Sequence, residues 1–257
     1  MIEHSTRWQF LDTGFRTGSE NMQFDEELAL RLQRNEILPT LRVYGWKPWA
    51  ISLGHHQKEN DVDSEKCRRD GINIVRRATG GRAILHANEV TYSVVMFADG
   101  RGVNDVYCDI SKALVAGLRR ICPEVEYEIS QPHFPSLYKK AESVPCFASS
   151  ARYEVQIKGK KLVGSAQRRF TSQDFSEVIL QHGSILLGDE HKKLVDYLTI
   201  DDDDVRRKMK NDFDIKTISL CEATKRSVQF DEAASAVKSG FEEAIGVSFH
   251  QPSEEFV

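Results

Sequence analysis

Residues 72–97 read INIVRRATGGRAILHANEVTYSVVMF, and this stretch decides the fold class. Three runs of mainly apolar residues predict three strands, at 72–77, 82–86 and 89–97. The ATGG turn joins the first two of them. Helical spacing of apolar residues precedes and follows this group, at 20–36 and 107–121. Because strands grouped in runs between helices are typical of α+β proteins, we expect an α+β domain with a mixed sheet, not a doubly wound parallel one.

The remaining pattern extends the same mixture of strands and helices along the chain. Four further strands are predicted, at 8–14, 40–46, 50–54 and 177–187. A hairpin is predicted over 151–170, with its turn at Lys158-Gly159, and a short helix over 61–71 that ends at Gly71. From about residue 190 the pattern is mainly helical, and the four aspartates at 201–204 suit a solvated loop or a helix start.

Composition and charge argue against several classes of protein. The 257 residues include 35 basic and 39 acidic side chains, and a net charge of −4 does not suit a nucleic-acid binder driven by phosphate attraction. No apolar run reaches the ~18 residues of a membrane span, and the N-terminal residues lack the layout of a signal peptide. We expect a cytoplasmic protein with neither a nucleic-acid nor a membrane partner.

The cysteines and histidines show no disulfide or metal spacing. The cysteines are Cys67, Cys108, Cys122, Cys146 and Cys221. Their odd number and the absence of a CxxC pair suit a reducing compartment. No pair of histidines has the i, i+4 spacing with an acidic residue that a helical metal site needs, so we expect no metal. His86, at the end of a predicted strand, is either a general base or a structural residue.

The RRATGGR segment is the densest signal of a binding site. The adjacent glycines Gly80 and Gly81 let the backbone approach a ligand closely. Three arginines beside them can hold a carboxylate, a phosphate or a carrier chain, namely Arg76, Arg77 and Arg82. A plain hairpin turn with surface arginines explains the same residues, and both interpretations stay open at this point.

Cys146 and Lys161 suggest nucleophilic chemistry. Cys146 is either a small buried apolar residue or a nucleophile. Lys161 begins a strand, where a lysine ordinarily faces solvent, but the small residues Gly164 and Ser165 follow it and leave room for a substrate. If Lys161 reached the same pocket as Cys146, its charge would lower the thiol pKa from about 8.5 and raise the thiolate fraction.

Several ordered motifs identify a family. They are ENMQFDEELA (20–29), LPTLRVYGWKPWAISLGHHQ (38–57), RRATGGRAILHANEVTYSV (76–94), KKLVGSAQRR (160–169) and ILQHGSILL (179–187). With them the chain resembles the lipoyl-pathway acyltransferases and ligases, which share a catalytic domain with biotin protein ligases. The turn TGGRAILH, the strand LQHGSILL and the placement of Cys146 fifteen positions before Lys161 resemble the cysteine-dependent octanoyltransferases.

The resemblance implies a single catalytic domain over residues 1–257, with the biotin/lipoate protein ligase fold. It implies transfer of an octanoyl group from acyl carrier protein, through a thioester on Cys146, to a lysine of a lipoyl domain. Such acceptors include the glycine cleavage H protein and the E2 subunits of 2-oxoacid dehydrogenases. In this interpretation Lys161 stabilises the thiolate, and no cofactor takes part. The implied substrate contacts are Arg76, Arg77, Gly80, Gly81, Arg82, His86, Gly164 and Ser165.

Three alternatives stay open at this stage. In an ATP-dependent lipoate–protein ligase, Lys161 would contact an acyl-adenylate and Cys146 would be incidental. An amidotransferase would use the same cysteine to move octanoyl or lipoyl groups between lipoyl domains. A non-catalytic domain would only bind lipoyl carriers, and the presence of both Cys146 and Lys161 argues against it.

Overall fold

The structure is a computed structural model that describes residues 6–128, 154–171 and 176–250. The strands in these ranges are β1 (Arg7–Arg16), β2 (Thr40–Trp46), β3 (Ala50–Leu53), β4 (Asn73–Arg76), β5 (Ile84–His86), β6 (Glu89–Phe97), β7 (Val125–Tyr127), β8 (Val155–Ile157), β9 (Lys160–Lys161), β10 (Val163–Thr171), β11 (Glu177–Leu186) and β12 (Ser248–His250). The α-helices are α1 (Gly18–Gln33), α2 (Ser64–Arg69), α3 (Val103–Leu118), α4 (Asp203–Lys216), α5 (Leu220–Thr224) and α6 (Phe230–Ile245). Two 3₁₀ helices lie at Glu59–Asp61 and Glu190–Tyr197.

A six-stranded mixed sheet runs through the centre of the molecule, in the order β10-β11-β6-β2-β1-β12. The strands from β10 to β2 pair antiparallel, whereas β1 pairs parallel with both β2 and β12. Helices lie on both sides of it, so the prediction of an α+β fold with a mixed sheet is confirmed.

Helices α3 and α6 cover one face of this sheet. Ile110 and Leu114 of α3 pack with Val94 of β6 and Phe241 of α6 in the largest apolar core. The two helices approach so closely that a Cβ atom added at Gly240 would lie 2.2 Å from the carbonyl oxygen of Ala113. Apolar contact therefore fixes this side of the fold.

Helix α1 covers the other face. It begins with a capping box, in which Thr17 accepts a hydrogen bond from the Glu20 backbone and the Glu20 side chain accepts one from Thr17. Leu28 and Leu32 of this helix pack against Leu180 of β11. The observed helix ends three residues before the predicted end, because the chain turns at 34–36 to reach β2.

A small three-stranded sheet, ordered β4-β3-β5, lies beside α1. Strand β3 pairs parallel with β4 and antiparallel with β5, so β4 and β5 do not pair with each other. The interpretation of the ATGG segment as a plain hairpin turn is therefore wrong. The segment instead crosses the end of β3, and a Cβ atom at Gly54 would lie 2.1 Å from the Gly81 carbonyl oxygen.

The predicted turn at Lys158-Gly159 is confirmed, but the hairpin it joins is shorter than the predicted 151–170, because residues 163–171 form β10 and pair with β11. Strands β8 and β9 are joined at Lys158 and Gly159, whose φ angles are 50° and 76°. Two successive residues with positive φ are typical of the type I′ turn, which matches the twist of the strands it joins.

The aspartates at 201–204 form a helix start. The side chain of Asp202 accepts hydrogen bonds from the backbone of residues 204 and 205 and begins α4. Across the described ranges, no helix has the length and apolar character that a membrane crossing requires.

Candidate active site

A narrow pocket opens between the small sheet, α1 and the paired strands β10 and β11. About 20 Å³ of it can hold a water-sized sphere, and the empty space is about 340 Å³ when the open solvent at its mouth is included. Four of the residues predicted from the sequence to contact substrate line it, namely Arg77, His86, Gly164 and Ser165. Met22, Trp46 and Ile84 add apolar surface to the same walls. The fold thus brings together residues that are up to 88 positions apart in the predicted set.

His86 lies in a buried hydrogen-bond network in one wall of this pocket. Its Nδ1 lies 2.9 Å from Glu89 Oε1, and its Nε2 lies 2.8 Å from Ser52 Oγ. The Trp46 ring stacks on the imidazole, with 3.9 Å between ring centres and 12° between planes. Burial lowers the pKa of His86, so the ring is neutral at neutral pH.

Glu89 anchors this network as a buried carboxylate. Burial alone would raise the pKa of Glu89, but the His86 ring and the hydrogen bonds from Thr91 and Ser184 hold that pKa below its ordinary value. His86 Nδ1, the Thr91 hydroxyl and the Ser184 hydroxyl lie 2.9, 2.5 and 2.8 Å from Oε1 of this carboxylate.

Arg77 holds the glycine turn through hydrogen bonds to its backbone. Its Nη1 donates to both the carbonyl and the hydroxyl oxygen of Ser52, each at 2.9 Å. Its Nη2 donates to the carbonyl oxygens of Gly80, at 2.9 Å, and Arg82, at 2.7 Å. The side chain is only 3% exposed. The guanidinium therefore binds backbone carbonyl groups and holds the turn in place.

Arg76 holds the neighbouring loop after β3 through hydrogen bonds to its backbone. Its Nη1 donates to the carbonyl oxygens of Gly54, at 2.9 Å, and Gln57, at 2.7 Å, and its Nη2 lies 3.2 Å from Glu59 Oε1. The two arginines thus fix two adjacent loops.

Gly80 and Gly81 form the exposed tip of the turn. A Cβ atom at Gly80 would meet nothing within 4 Å, and Gly81 has a φ of 99°, a conformation that favours glycine. Arg82 follows them and is half-buried. A ligand can therefore approach the backbone here without obstruction.

A second buried network contains His182. The ring lies with Nδ1 3.0 Å from Asp25 Oδ2 and Nε2 2.7 Å from Thr79 Oγ1. Arg42 Nη1 donates to Asp25 Oδ1 at 2.7 Å, and the Tyr44 hydroxyl donates to Oδ2 at 2.9 Å. Burial alone would raise the pKa of Asp25, but the Arg42 charge and the His182 ring hold it below its ordinary value.

The sequence analysis assigned no catalytic or binding role to His182 or Asp25. One signal was available in the helix pattern. Asn21 and Asp25 lie on the same helical face as Leu28 and Leu32, so two polar residues share a face that is otherwise apolar. Polar residues on a buried helix face need buried partners.

Lys161 is buried, contrary to the ordinary expectation of a solvent-facing lysine. Its side chain is 8% exposed, and its Nζ lies 2.5 Å from Oε1 of Glu154, which is 9% exposed. A buried charge is stable only when it is paired, so this carboxylate keeps Lys161 as an ammonium ion.

The predicted nucleophile Cys146 lies outside the described residues. Of the described cysteines, Cys67 and Cys122 are buried. Burial raises the pKa of Cys67 to about 11 and raises that of Cys122 as well. Both are therefore thiols at neutral pH and poor nucleophiles. The described ranges contain no group of three acidic, histidine or cysteine residues that could hold a metal ion.

Comparison with known proteins identifies the family. Residues 17–242 match the family described as lipoyl protein ligase A/B catalytic domain. The chain belongs to this family.

Within the family, the similarity is to octanoyltransferases. Octanoyltransferase LipM of Kyrpidia tusciae is 38% identical over 252 residues, which cover 96% of this chain and 90% of the relative. Octanoyltransferase LipM of Bacillus subtilis is 34% identical over 247 residues, covering 93% and 87%. The resemblance found in the sequence is confirmed, and the chain is an enzyme of the octanoyltransferase class.

Solved structures confirm the fold. A bi-partite lipoate protein ligase from Thermoplasma acidophilum superposes with a TM-score of 0.71 at 20% identity, covering 96% of this chain and 88% of that one. Lipoate-protein ligase A bound with ATP superposes with a TM-score of 0.68 at 19% identity, covering 97% and 90%. At these identities the likeness establishes a shared fold.

Proposed function

We propose that the protein moves an octanoyl group from acyl carrier protein to a lysine of a lipoyl domain, through a thioester on Cys146. The observation that carries this proposal is the buried ammonium of Lys161, held by Glu154 in the hairpin that leads into β10. A cation near a thiol lowers its pKa and supplies the thiolate that attacks an acyl group.

The first step exchanges one thioester for another. The Cys146 thiolate attacks the carbonyl carbon of the octanoyl carrier, and the carrier leaves as a thiol. Because a thioester is broken and a thioester is made, no ATP is needed. In the second step the acceptor lysine attacks the octanoyl-enzyme and forms an amide, which is far more stable than a thioester.

The pocket supplies a place for the acyl group. Trp46 and Ile84 line it and can bury apolar carbon atoms. The exposed backbone at Gly80 and Gly81 offers a surface against which an acyl chain can lie. Gly164 and Ser165 form the opposite wall. Burial of methylene groups contributes about 0.8 kcal/mol each, so a few buried carbons suffice to select an octanoyl chain.

The remaining predicted residues have supporting roles in this proposal. We propose that Arg76 and Arg77 act by holding two adjacent loops in shape, and that Arg82 faces the incoming carrier protein. His86 holds the pocket wall through Ser52 and Glu89. Acceptors of this chemistry are lipoyl domains, such as the glycine cleavage H protein or the E2 subunits of 2-oxoacid dehydrogenases.

Mass spectrometry of the intact protein tests the proposal. After incubation with octanoyl-acyl carrier protein, and with neither ATP nor Mg²⁺, we expect one octanoyl adduct that hydroxylamine removes, because hydroxylamine cleaves thioesters and leaves amides intact. Cys146→Ala should form no adduct, whereas Cys108→Ala, the matched control, should form it normally. Lys161→Ala should form it at least about 10-fold more slowly. A requirement for free octanoate and ATP, with no adduct, would establish a ligase instead.

A further inference from the structure

The candidate active-site pocket is too narrow for the acyl group that an octanoyltransferase moves. Its space for water-sized spheres is about 20 Å³, and a cavity needs about 10–15 Å³ of such space to hold one water molecule. A methylene group is about as large as a water molecule, so an octanoyl chain needs several times this space. If the chain lies here, as the proposed function requires, at least one wall must move when it enters.

Most of the walls are fixed by hydrogen bonds. The Trp46 indole donates to Thr91 Oγ1 at 2.7 Å and stacks on His86. The Tyr44 hydroxyl donates to Asp25 Oδ2 at 2.9 Å. Moving such a group leaves a buried polar atom without its partner, which costs free energy. The other lining side chains held in this way are Ser52, Arg77, Ser165, His182 and Ser184.

Four further lining residues cannot widen the pocket by a change of rotamer. Gly164, Ala166 and Gly183 carry no side chain whose rotation frees space. Ile84 is branched at Cβ, which restricts its rotamers. It is 6% exposed and belongs to the apolar core that contains Leu85. These residues therefore form stiff parts of the wall.

Met22 differs from the other described residues that line the pocket. Its side chain is 7% exposed and packs with Tyr44, Trp46 and Ala50 through apolar contact. A methionine side chain is unbranched and has three rotatable bonds, so it adapts to the space around it. It donates no hydrogen bond and accepts only weakly. A change of rotamer at Met22 therefore gives up packing alone.

The backbone that carries Met22 is fixed, so the side chain can move while the helix stays in place. The preceding residue, Asn21, donates from Nδ2 to the Gly45 carbonyl oxygen at 3.0 Å. The Asn21 carbonyl oxygen accepts from Arg42 Nη1 at 3.2 Å, and the same Nη1 lies 2.7 Å from Asp25 Oδ1. These bonds tie α1 to β2 one residue away from Met22. The space open to a chain thus depends on the side chain at position 22.

We propose that Met22 limits the length of the acyl chain that the enzyme accepts. The inference rests on the proposed function in one respect, namely that the acyl chain lies in this pocket. Met22 changes rotamer when an octanoyl chain enters, and the hydrogen-bonded walls deny further space to a longer chain. This role is one of specificity, and it does not depend on where the reacting carbonyl group lies.

A competition between acyl donors tests this role. The wild-type protein and its variants receive equal amounts of octanoyl- and dodecanoyl-acyl carrier protein, and intact-mass spectrometry measures the ratio of the two adducts at early times. The ratio compares the kcat/KM values of the two donors, so the fraction of folded protein does not affect it. Met22→Ala removes most of the adjustable side chain and should raise the ratio of dodecanoyl to octanoyl adduct at least about 10-fold.

Met22→Phe changes the same position in the opposite direction. A phenyl ring has fewer rotatable bonds than a methionine side chain and cannot fold aside as readily. With octanoyl- and hexanoyl-acyl carrier protein in competition, this variant should lower the ratio of octanoyl to hexanoyl adduct about 10-fold. A general loss of stability lowers the rates for all donors together, so opposite shifts from one position identify a change in the size of the pocket.

Met96→Ala is the matched control. Met96 is also 7% exposed, but it lies in the apolar core on the other face of the central sheet. The same truncation there leaves a cavity away from the pocket, and the adduct ratios should stay within about twofold of the wild-type values. If Met96→Ala shifts the ratio as much as Met22→Ala does, the effect is a general loosening of the fold and the proposal is wrong.

The two proposals fail in distinguishable ways. If the wild-type protein forms no adduct from any of these donors, the thioester route is wrong, and the ratios are then measured in the amide product on a lipoyl domain, from the free acids with ATP. Ratios that are unchanged in both Met22→Ala and Met22→Phe, from whichever donors the wild type uses, would overturn the role of Met22.

Discussion

The two faces of the central sheet differ in chemistry, although the same strands build both. On the face covered by α3 and α6, β6 and β11 contribute Val90, Val94 and Ile185 to an apolar core. On the opposite face, the same strands contribute Thr91, His182 and Ser184 to the pocket.

The two faces differ in the kind of burial that holds them together. Apolar burial is favourable without any partner, whereas a buried polar group costs free energy unless each hydrogen bond is made. The polar face is therefore a costly way to hold a sheet together. The face covered by α3 and α6 is the apolar face, and the face that carries Thr91, His182 and Ser184 is the polar face.

The largest expected effect comes from breaking the buried ion pair on the polar face. Arg42→Met leaves the Asp25 carboxylate buried without its counter-charge, and we expect a loss of about 4 kcal/mol in the free energy of unfolding, measured in urea. The double variant Arg42→Met with Asp25→Leu removes both charges and should recover part of this loss. Recovery is incomplete because the Tyr44 hydroxyl and the His182 ring then lose their Asp25 partner. A loss below about 1 kcal/mol in the single variant would mean that the pair is not structurally coupled.

A cavity on the apolar face should cost somewhat less and leave the chemistry intact. Leu114→Ala deletes a fully buried side chain between α3 and the sheet, and we expect about 3 kcal/mol of destabilisation. The rate of octanoyl transfer per folded molecule should stay at the wild-type value. Leu30→Ala, at a leucine that is 42% exposed, is the control and should be nearly neutral. A reduced transfer rate in folded Leu114→Ala protein would show that the two faces are not independent.

Acid should destabilise the fold by a smaller amount. Burial lowers the pKa of His191 to about 4 and also lowers that of His86. In the unfolded chain both rings take up a proton as the pH falls through about 6.5, whereas the folded rings stay neutral, so acid favours unfolding. For His191 alone, the free energy of unfolding should fall by about 2 kcal/mol between about pH 7 and pH 5.

Urea unfolding across that range, with His191→Gln beside the wild type, measures this contribution. Glutamine can keep the hydrogen bond to Thr217, which lies 2.9 Å from the ring, but does not titrate. The variant should therefore show a shallower pH dependence, and an identical one would contradict the assignment.

Much of the fold was predictable because its elements are defined by local patterns. The alternation in 89–97 gave a strand with the predicted bounds, and the turn at Lys158-Gly159 fell where glycine allows positive φ. The hairpin interpretation of the ATGG segment, which the sequence left open, is wrong because β3 lies between β4 and β5 through contacts that neighbouring sequence does not encode. Strand pairing is a property of the whole chain.

The site was predictable only in part, for the same reason. The glycine turn, His86 and the strand at Gly164 were visible as motifs. Arg77, His86, Gly164 and Ser165 line one pocket, whereas Arg76, Gly80, Gly81 and Arg82 are not among its lining residues. The His182 network joins residues from 25 to 182, and each of them has an ordinary explanation when it is considered alone. Charge pairing across four elements becomes visible only when the elements are packed.

The stack of Trp46 on His86 gives the pocket an optical signal of its own. An indole in face-to-face contact with an imidazole loses excited-state energy to it, more strongly when the imidazole carries a charge. Because the rings are 3.9 Å apart and both line the pocket, the emission of Trp46 depends on what lies beside them. Under the proposed function an acyl chain enters beside these rings, and its entry should change that emission and allow occupancy to be followed in the unlabelled protein.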